Sequence, residues 1–352
     1  MNKLYIDKAF ELVKWTDGQT GSNPAVGCII VKDNKIVGIG AHLIEGEGHA
    51  EVNAINMAGE RAFGATLYCT LEPCSHYGKT PPCTKKIIES GIKRVVFAAR
   101  DLTLQSGIEE MQSNGIEVAH SQVHEIEAYY QPFFNAKLHK MPYTILKMGV
   151  TLDGKTADDQ NVSQWITNAE SRRHAHQVRY SCDAILVGYG TYKHDQPTLD
   201  SRDYKDKWIR KVVISNGRFE INDKDNNDYD KSRLIVVTNV QQTIEDVLVI
   251  VLPELTPEAI LKALYLHKIN RLIIEGGMQT IRLFASAHCY DEIHQYIAPK
   301  LLGGSSKHQF LTTDEPSKMS AMTPLQLVTV KTFEDDVLLV YRKDDSDVHR
   351  HH

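Results

Sequence analysis

The sequence predicts an α/β protein built from two domains. Strand-like and helix-like hydrophobic periods alternate along the chain, which is the signature of that class. The alternation restarts at Tyr143 after the segment LHKMP (138–142), read as a hinge, so the domains are drawn as 1–142 and 143–346. A length of 352 residues, 42% of them hydrophobic, is enough for two cores.

In the first domain, Leu4, Phe10 and Val13 fall on one face of an opening helix. AVGCIIVKDNKIVGIGAH reads as a hairpin closed by the turn pair Asp33-Asn34. HAEVNAINMAG has helical spacing at Val52, Ile55 and Ala58 and stops at Gly59. ATLYCTL is a strand, PCTKKIIESG a short helix ending at Gly91, and KRVVFAA the next strand; helix and strand then alternate through GIEVAH. In the second domain, PYTILKMGVTLDGKTA begins with a strand and ends in a turn at Asp153-Gly154. AILVG, KVVIS, RLIVVT and RLIIEGG read as strands, and NAESRRHAHQVR, TPEAILKALYLHK and GMQTIRLFAS as helices. The charged stretch NDKDNNDYDKS (222–232) reads most simply as a solvated loop, and His349, His351 and His352 receive no role.

Composition excludes some classes. A net charge of −5 gives no electrostatic reason to expect a nucleic-acid partner. The apolar residues near the N-terminus are interrupted by Asp7, Lys8 and Glu11, and no apolar run approaches the roughly 18 residues of a membrane span. A soluble, cytoplasmic protein with no membrane partner is expected. Of the six cysteines, Cys28, Cys69, Cys182 and Cys289 sit in apolar surroundings and read as core.

Cys74 and Cys83 differ. They bracket the loop EPCSHYGKTPPC (72–83), while His49-Ala50-Glu51 opens a helix upstream. One imidazole (His49) and two thiolates (Cys74, Cys83) make a three-ligand zinc site with the fourth position free for water, whereas a structural site normally closes with a fourth protein ligand. Glu51, two residues from His49, is too close to be a comfortable ligand but is suited to moving protons. This is the H-x-E and P-C logic of zinc nucleobase deaminases, except that eight residues rather than two separate the cysteines. The insert SHYGKTPP enlarges the loop beside the metal. His76, cramped as a ligand next to Cys74, reads as a substrate contact.

SNPAVGCIIV, HAE and EPCSHYGKTPPC closely resemble the bifunctional deaminase/reductase family of riboflavin biosynthesis, as do KMGVTLDGKTA, SQWIT, DQPTLDSR and IIEGG followed by APKLLGG; the resemblance covers about residues 1 to 345. It implies a cytidine-deaminase-like three-layer domain followed by a dihydrofolate-reductase-like domain. It also implies two reactions on a small pyrimidine ribosyl phosphate. The first is hydrolytic, zinc-dependent deamination of 2,5-diamino-6-ribosylamino-4(3H)-pyrimidinone 5′-phosphate, with one Zn2+ per chain. The second is reduction of the ribosyl chain to ribityl by NADPH. Enzymes of this class commonly assemble, so a homo-oligomer is compatible with the resemblance.

Carried over residue by residue, the resemblance gives Glu51 the catalytic proton transfers and Asn23, His42, His76, Lys79 and Thr80 the deaminase substrate. Ser163, Arg179, Leu199, Arg202 and Glu275 match reductase substrate positions, and guanidinium forks suit a phosphate. Trp165, Thr191, Asp195 and the segment from Gly277 match the cofactor region, with Gly149 a weaker candidate. The family motif carries two acids before its proline, whereas Asp195-Gln196-Pro197 has one. Strand RLIIE runs into Gly276-Gly277 and a helix, where backbone amides favour a pyrophosphate, but G-x-G-x-x-G is absent, so this is not a Rossmann fingerprint. Ser215 and Arg218 are candidates for selecting NADPH over NADH. Lys147 and Asp153 are further polar candidates, and Glu275 or Asp195 is the candidate proton donor. Two other readings compete: a deaminase of another nucleobase, such as tRNA adenosine or a free cytosine nucleoside, and a non-catalytic zinc-stabilised RNA-binding module. Neither explains the second domain or consumes NADPH.

Overall fold

Asp33 and Asn34 both take positive φ, 48° and 58°, as a two-residue type I′ turn requires, and they close strand β1 (Gly27–Lys32) onto β2 (Lys35–Ala41). This is a computed structural model, and it describes residues 2–21, 23–103, 105–202, 208–305, 308–310 and 318–343. The chain divides into two units between Lys140 and Met141.

The first unit adds β3 (Thr66–Leu71), β4 (Arg94–Ala99) and β5 (Glu117–His120) to the hairpin, in the order β2-β1-β3-β4-β5. Strand β1 is antiparallel to both neighbours, and β3, β4 and β5 run parallel. Because side chains alternate along a strand, the sheet has two apolar faces. Ile29, Val31, Tyr68 and Val96 pack on α1 (Asn2–Thr16) and α5 (His124–His139). Cys28, Ile30, Leu67, Cys69, Val95 and Phe97 pack on α2 (Ala50–Ala58), α3 (Cys83–Glu89) and α4 (Ile108–Ser113). The result is three layers, with Cys28 and Cys69 in the core. The buried face of α1 is Tyr5, Ile6, Ala9, Phe10 and Val13; Leu4, expected on that face, is 54% exposed.

Two glycines bring α2 directly onto β2. A Cβ on Gly40 would lie 2.1 Å from the Ala50 carbonyl oxygen, and one on Gly38 would lie 2.3 Å from that of Ala54. Only a residue without a side chain permits this approach, and it fixes the helix that carries the deaminase motif.

The second unit is a nine-stranded sheet. Its strands are β6 (Tyr143–Thr151), β7 (Ala184–Gly188), β8 (Arg210–Ser215), β9 (Leu234–Thr238), β10 (Leu248–Val251), β11 (Arg271–Glu275), β12 (Glu292–Ala298), β13 (Leu325–Phe333) and β14 (Asp336–Lys343). The order is β10-β9-β8-β7-β11-β6-β12-β14-β13, parallel from β10 to β12 and antiparallel at β14 and β13. Helices α6 (Ala169–Tyr180), α7 (Tyr189–Asp195), α8 (Asp228–Arg233), α9 (Pro257–Leu266) and α10 (Met278–Ser286) accompany it. Asn168 and Thr256 cap α6 and α9 by accepting from backbone N–H groups of Ser171 and Ala259. Both faces of the sheet are buried: Leu146, Leu186, Leu272 and Ile274 on one, Ile145, Ile185, Val213 and Ile273 on the other. Cys182 is buried in the second cluster, and Cys289 packs against the first.

The charged stretch 222–232 is ordered rather than a plain solvated loop. It holds a 3-10 turn, Asp223–Asp225, and most of α8. The cause is Lys211: its buried ammonium sits 2.7 Å from both Asp225 and Asp230, and unpaired it would be costly. His349, His351 and His352 lie outside the described residues, as do residues 344–346 of the expected second domain.

Candidate functional site

His49 is the N-cap of α2, so its side chain stands at the mouth of the sheet while Glu51 occupies the buried first turn. Asn53 pins this entry by donating to the carbonyls of Ala41 and Gly48, at 2.9 and 3.0 Å. Cys74 follows β3, and Cys83 opens α3. The backbone N–H of Cys83 donates to the Cys74 sulfur at 3.4 Å, and the two thiols lie 3.5 and 3.3 Å from His49 Nδ1. One ligand atom from each of His49, Cys74 and Cys83 lies within 4.8 Å of the others. An imidazole nitrogen and two sulfurs form a borderline-soft donor set that fits Zn2+, and no fourth His, Cys, Asp or Glu joins the group among the described residues.

The electrostatics agree with a site built for a cation. The hydrogen bond with Cys83, together with His49 and the α3 N–H, holds the Cys74 thiol down to about 4, and the same bond and burial push the Cys83 thiol up. Burial, then the Cys74 charge, raises the Glu51 carboxyl to about 7. Glu51 Oε2 accepts from the Cys83 sulfur at 3.5 Å.

These groups open onto a cavity of ≈ 380 Å³. Asn23, His42, His49, Glu51, Cys74, His76, Lys79 and Thr80 all line it. Asn23 Nδ2 meets His42 Nε2 at 3.3 Å, and the other His42 ring nitrogen meets the Gly48 carbonyl at 3.3 Å. Burial lowers the His42 pKa, which favours the neutral ring. The eight-residue insert lies along the cavity. It folds back so that Thr80 Oγ1 is 3.5 Å from His49 Nε2 and Lys79 reaches Glu45 at 3.0 Å. Sequence reading missed Glu45, Asp101, Thr103 and Lys137, which line the same cavity. They come from loops and a helix that carry no motif of their own.

In the second unit, Gly149, Ser215 and Glu275 lie in the last turns of parallel strands, the end of an α/β sheet where ligands bind. Glu275 accepts a bidentate pair from Arg179, Nε to Oε1 at 2.7 Å and Nη2 to Oε2 at 2.9 Å, and Lys147 Nζ stands 3.6 Å away. Arg179 also donates to the Asp200 carbonyl at 2.9 Å, so most of its fork is engaged within the protein. Burial pushes the Glu275 carboxyl up, but Arg179 and Lys147 outweigh it and hold it at about 2. His176 joins this group and was not singled out from sequence; burial, then Arg179, lowers its pKa.

Other candidates divide by environment. Leu199 is buried with φ 47°, its side chain in the core and its carbonyl accepting from Arg233 at 3.5 Å. Arg202 is exposed, 3.3 Å from Asp200. A Cβ on Gly277 would lie 2.7 Å from Thr191 Oγ1, which brings two cofactor candidates together. Trp165 is exposed beneath the Arg172 guanidinium, 4.4 Å from the ring centroid. Ser163 and Asp195 are exposed. The buried Ser215 hydroxyl donates to the Gly217 carbonyl, and Arg218 is exposed. Asp153 accepts from Thr151 and from the backbone N–H groups of Leu302 and Gly303, so it ties the APKLLGG segment to β6.

Residues 1–99 match the cytidine and deoxycytidylate deaminase zinc-binding region, and residues 142–339 match the RibD C-terminal domain. The riboflavin biosynthesis protein RibD of Bacillus amyloliquefaciens is 37% identical, over 99% of this chain and 100% of its own. That of Aquifex aeolicus is 38% identical, over 86% and 88%. A crystal structure of a diaminohydroxyphosphoribosylaminopyrimidine deaminase/5-amino-6-(5-phosphoribosylamino)uracil reductase from Thermotoga maritima aligns with a TM-score of 0.87 at 32% identity, covering 97% and 99% of the two chains. Acinetobacter baumannii RibD aligns at 0.88 and 31%, with the same coverage. No helix among the described residues is long and apolar enough to cross a membrane. Matched by both domain families and aligned nearly end to end with these relatives, the chain belongs to the RibD family and is a bifunctional deaminase and reductase of riboflavin biosynthesis.

Proposed function

We propose that the first unit hydrolytically deaminates 2,5-diamino-6-ribosylamino-4(3H)-pyrimidinone 5′-phosphate and that the second reduces the ribosyl chain of the product to ribityl with NADPH. The observation that carries the first half is the buried Glu51 carboxyl beside the His49, Cys74 and Cys83 donors on a cavity of ≈ 380 Å³. His49, Cys74 and Cys83 would hold Zn2+, which when bound would lower the pKa of a water to near neutral. Glu51 takes a proton from water and delivers it to a ring nitrogen as the water oxygen bonds to the amine-bearing carbon. It then takes the second proton from the hydroxyl so formed and passes it to the amine, so that the carbon–nitrogen bond breaks, ammonia leaves and the carbonyl remains. Asn23 and His42 orient the base, and His76, Lys79 and Thr80 close over the sugar side.

In the second unit, Glu275 keeps Arg179 and Lys147 fixed at the end of the sheet. Arg202, exposed and 3.3 Å from Asp200, meets the phosphate, with Ser163 and Leu199 beside it. NADPH supplies the hydride. Gly149, Trp165, Thr191, Asp195, Ser215 and Gly277 form its bed. The placing of Cys74 and Cys83 as metal donors suits a reducing, cytoplasmic setting.

The test follows ammonia release from the pyrimidinone phosphate with and without NADPH, and NADPH absorbance in parallel, using zinc-loaded protein. Ammonia without NADPH, and NADPH loss only after deamination, is the expected result. Ammonia with no NADPH loss would overturn the assignment of the second step. Neither signal, with substrate and metal verified, would overturn both.

A further inference from the structure

Among the described residues that line the deaminase cavity, one lysine has no carboxylate partner. Four acids line it, Glu45, Glu51, Glu72 and Asp101, together with two lysines, Lys79 and Lys137. Each acid has a donor nearby. Glu45 pairs with Lys79 at 3.0 Å, and Glu51 accepts from Cys83 at 3.5 Å. Glu72 accepts from the Ser106 hydroxyl. Asp101 accepts from the Thr103 backbone N–H and hydroxyl, at 2.8 and 2.6 Å. Lys79 is therefore already matched. Lys137 has no carboxylate within 4.0 Å among the described residues, and its recorded contact is the Phe133 ring, 5.6 Å from ammonium to centroid.

The placement of Lys137 is specific. Phe133 and Lys137 are four residues apart on α5, so they share one face of the helix, and both line the cavity. Helix α5 packs on the sheet face opposite α2 and α3, so this wall is independent of the one that carries the metal donors. The ammonium stands beside the Phe133 ring on the cavity wall, where the ring face favours a cation without neutralising it. A half-buried ammonium with no counter-charge lowers its energy by meeting an anion. A pyrimidine ribosyl phosphate has one strongly anionic group, at the end remote from the ring that reacts.

We propose that Lys137 binds the 5′-phosphate of the deaminase substrate and sets the preference for the phosphorylated substrate over its nucleoside. This rests on the substrate assigned above. Lysine acts here as a point charge, so arginine should substitute in part and glutamine should not.

The test compares zinc-loaded wild type, Lys137→Gln and Lys137→Arg. Ammonia release is measured with the phosphorylated substrate and with its dephosphorylated nucleoside, and ribose 5-phosphate binding is titrated separately. Loss of one charge-assisted contact predicts a fall of about 10- to 100-fold in kcat/KM for the phosphorylated substrate with Lys137→Gln. The fall should be carried by KM, with the nucleoside unaffected, Lys137→Arg recovering most of it, and one ribose 5-phosphate binding event lost. Zinc content and NADPH-dependent reduction of supplied deaminated intermediate report that the variants are folded. Unchanged discrimination in Lys137→Gln, or equal loss on both substrates, would overturn the assignment. Should wild type release no ammonia from either substrate, the functional reading fails, and the ribose 5-phosphate titration still decides Lys137: binding equal in wild type and Lys137→Gln rejects it.

Discussion

Glu275→Gln puts the pair at the end of β11 under a test whose size can be worked out beforehand. The Glu275 carboxylate is almost inaccessible, and left alone there it would be protonated. Arg179, bidentate at 2.7 and 2.9 Å, and Lys147 at 3.6 Å reverse this and hold it at about 2 against an ordinary 4.5. That gap of about 2.5 units, at about 1.36 kcal/mol each, corresponds to about 3 kcal/mol of linkage. The folded value lies below the unfolded one. The stability is therefore fully present above pH 4.5 and is lost as the pH falls from 4.5 towards 2.

Removing the charge also strands a buried guanidinium, for which losses of about 3–5 kcal/mol are typical. At pH 7, amide exchange in the central strands, 184–188 and 271–275, should accelerate in Glu275→Gln by about two to three powers of ten. At pH 2.5, most of that difference between variant and wild type should vanish, because the unfolded wild-type carboxyl is then protonated and folding has to expel that proton. A difference that persists undiminished at pH 2.5, or one below about 1 kcal/mol at pH 7, would refute the reasoning.

Three further outcomes are expected in the first unit. Glu51→Gln should keep its zinc, measured by metal analysis, while ammonia release falls by about 10²–10⁴-fold, the usual worth of a positioned proton carrier. Metal removal by a chelator, or Cys83→Ser, should abolish ammonia release, with zinc restoring only the chelated wild type; NADPH oxidation with supplied deaminated intermediate should continue in both, and its collapse would mean that the units do not work separately. Gly40→Ala should push α2 off β2, since its Cβ would sit 2.1 Å from the Ala50 carbonyl and 2.4 Å from the Ala54 nitrogen. A loss of about 1–3 kcal/mol, seen as a lower thermal midpoint of the deaminase unit with reduced ammonia release, is the overpacking cost to measure.

What could be read in advance follows how close together the relevant residues lie in the chain. The Asp33-Asn34 turn needs only its own two residues, and both carry the positive φ that the pair announces. His49 with Glu51, and Cys74 with Cys83, are short-range patterns whose chemistry is legible before any fold is known. Leu4 was misassigned: nine residues before Val13, it lies on the opposite side of α1, so the face that buries Ile6, Phe10 and Val13 turns it outward. The stretch 222–232 failed for the opposite reason. Its charge implied solvent, and nothing nearby signalled that Lys211, buried in a strand, would claim Asp225 and Asp230. Helix α5 and strands β12–β14 were not singled out from pattern either, and α5 contains an internal proline that obscures its period.

The same logic separates the chemistry of the deaminase site from its selectivity. The groups that make and break bonds must sit within a few ångströms of one another, and here short segments after β3 and at the start of α2 and α3 supply them, so they leave a motif. The groups that meet the far end of a substrate need only face the same cavity. Asp101 follows β4 and Lys137 lies 88 residues beyond His49 on α5, each in a segment whose own pattern is that of an ordinary loop or helix. Arg179 and Glu275, 96 residues apart, show the same limit in the reductase unit: each reads singly as a ligand for substrate, and only the fold reveals that much of their charge is spent on each other. Reaction type is therefore the part of function a single sequence states most clearly, and the charge that selects one phosphorylated substrate is the part that the packing of distant elements has to supply.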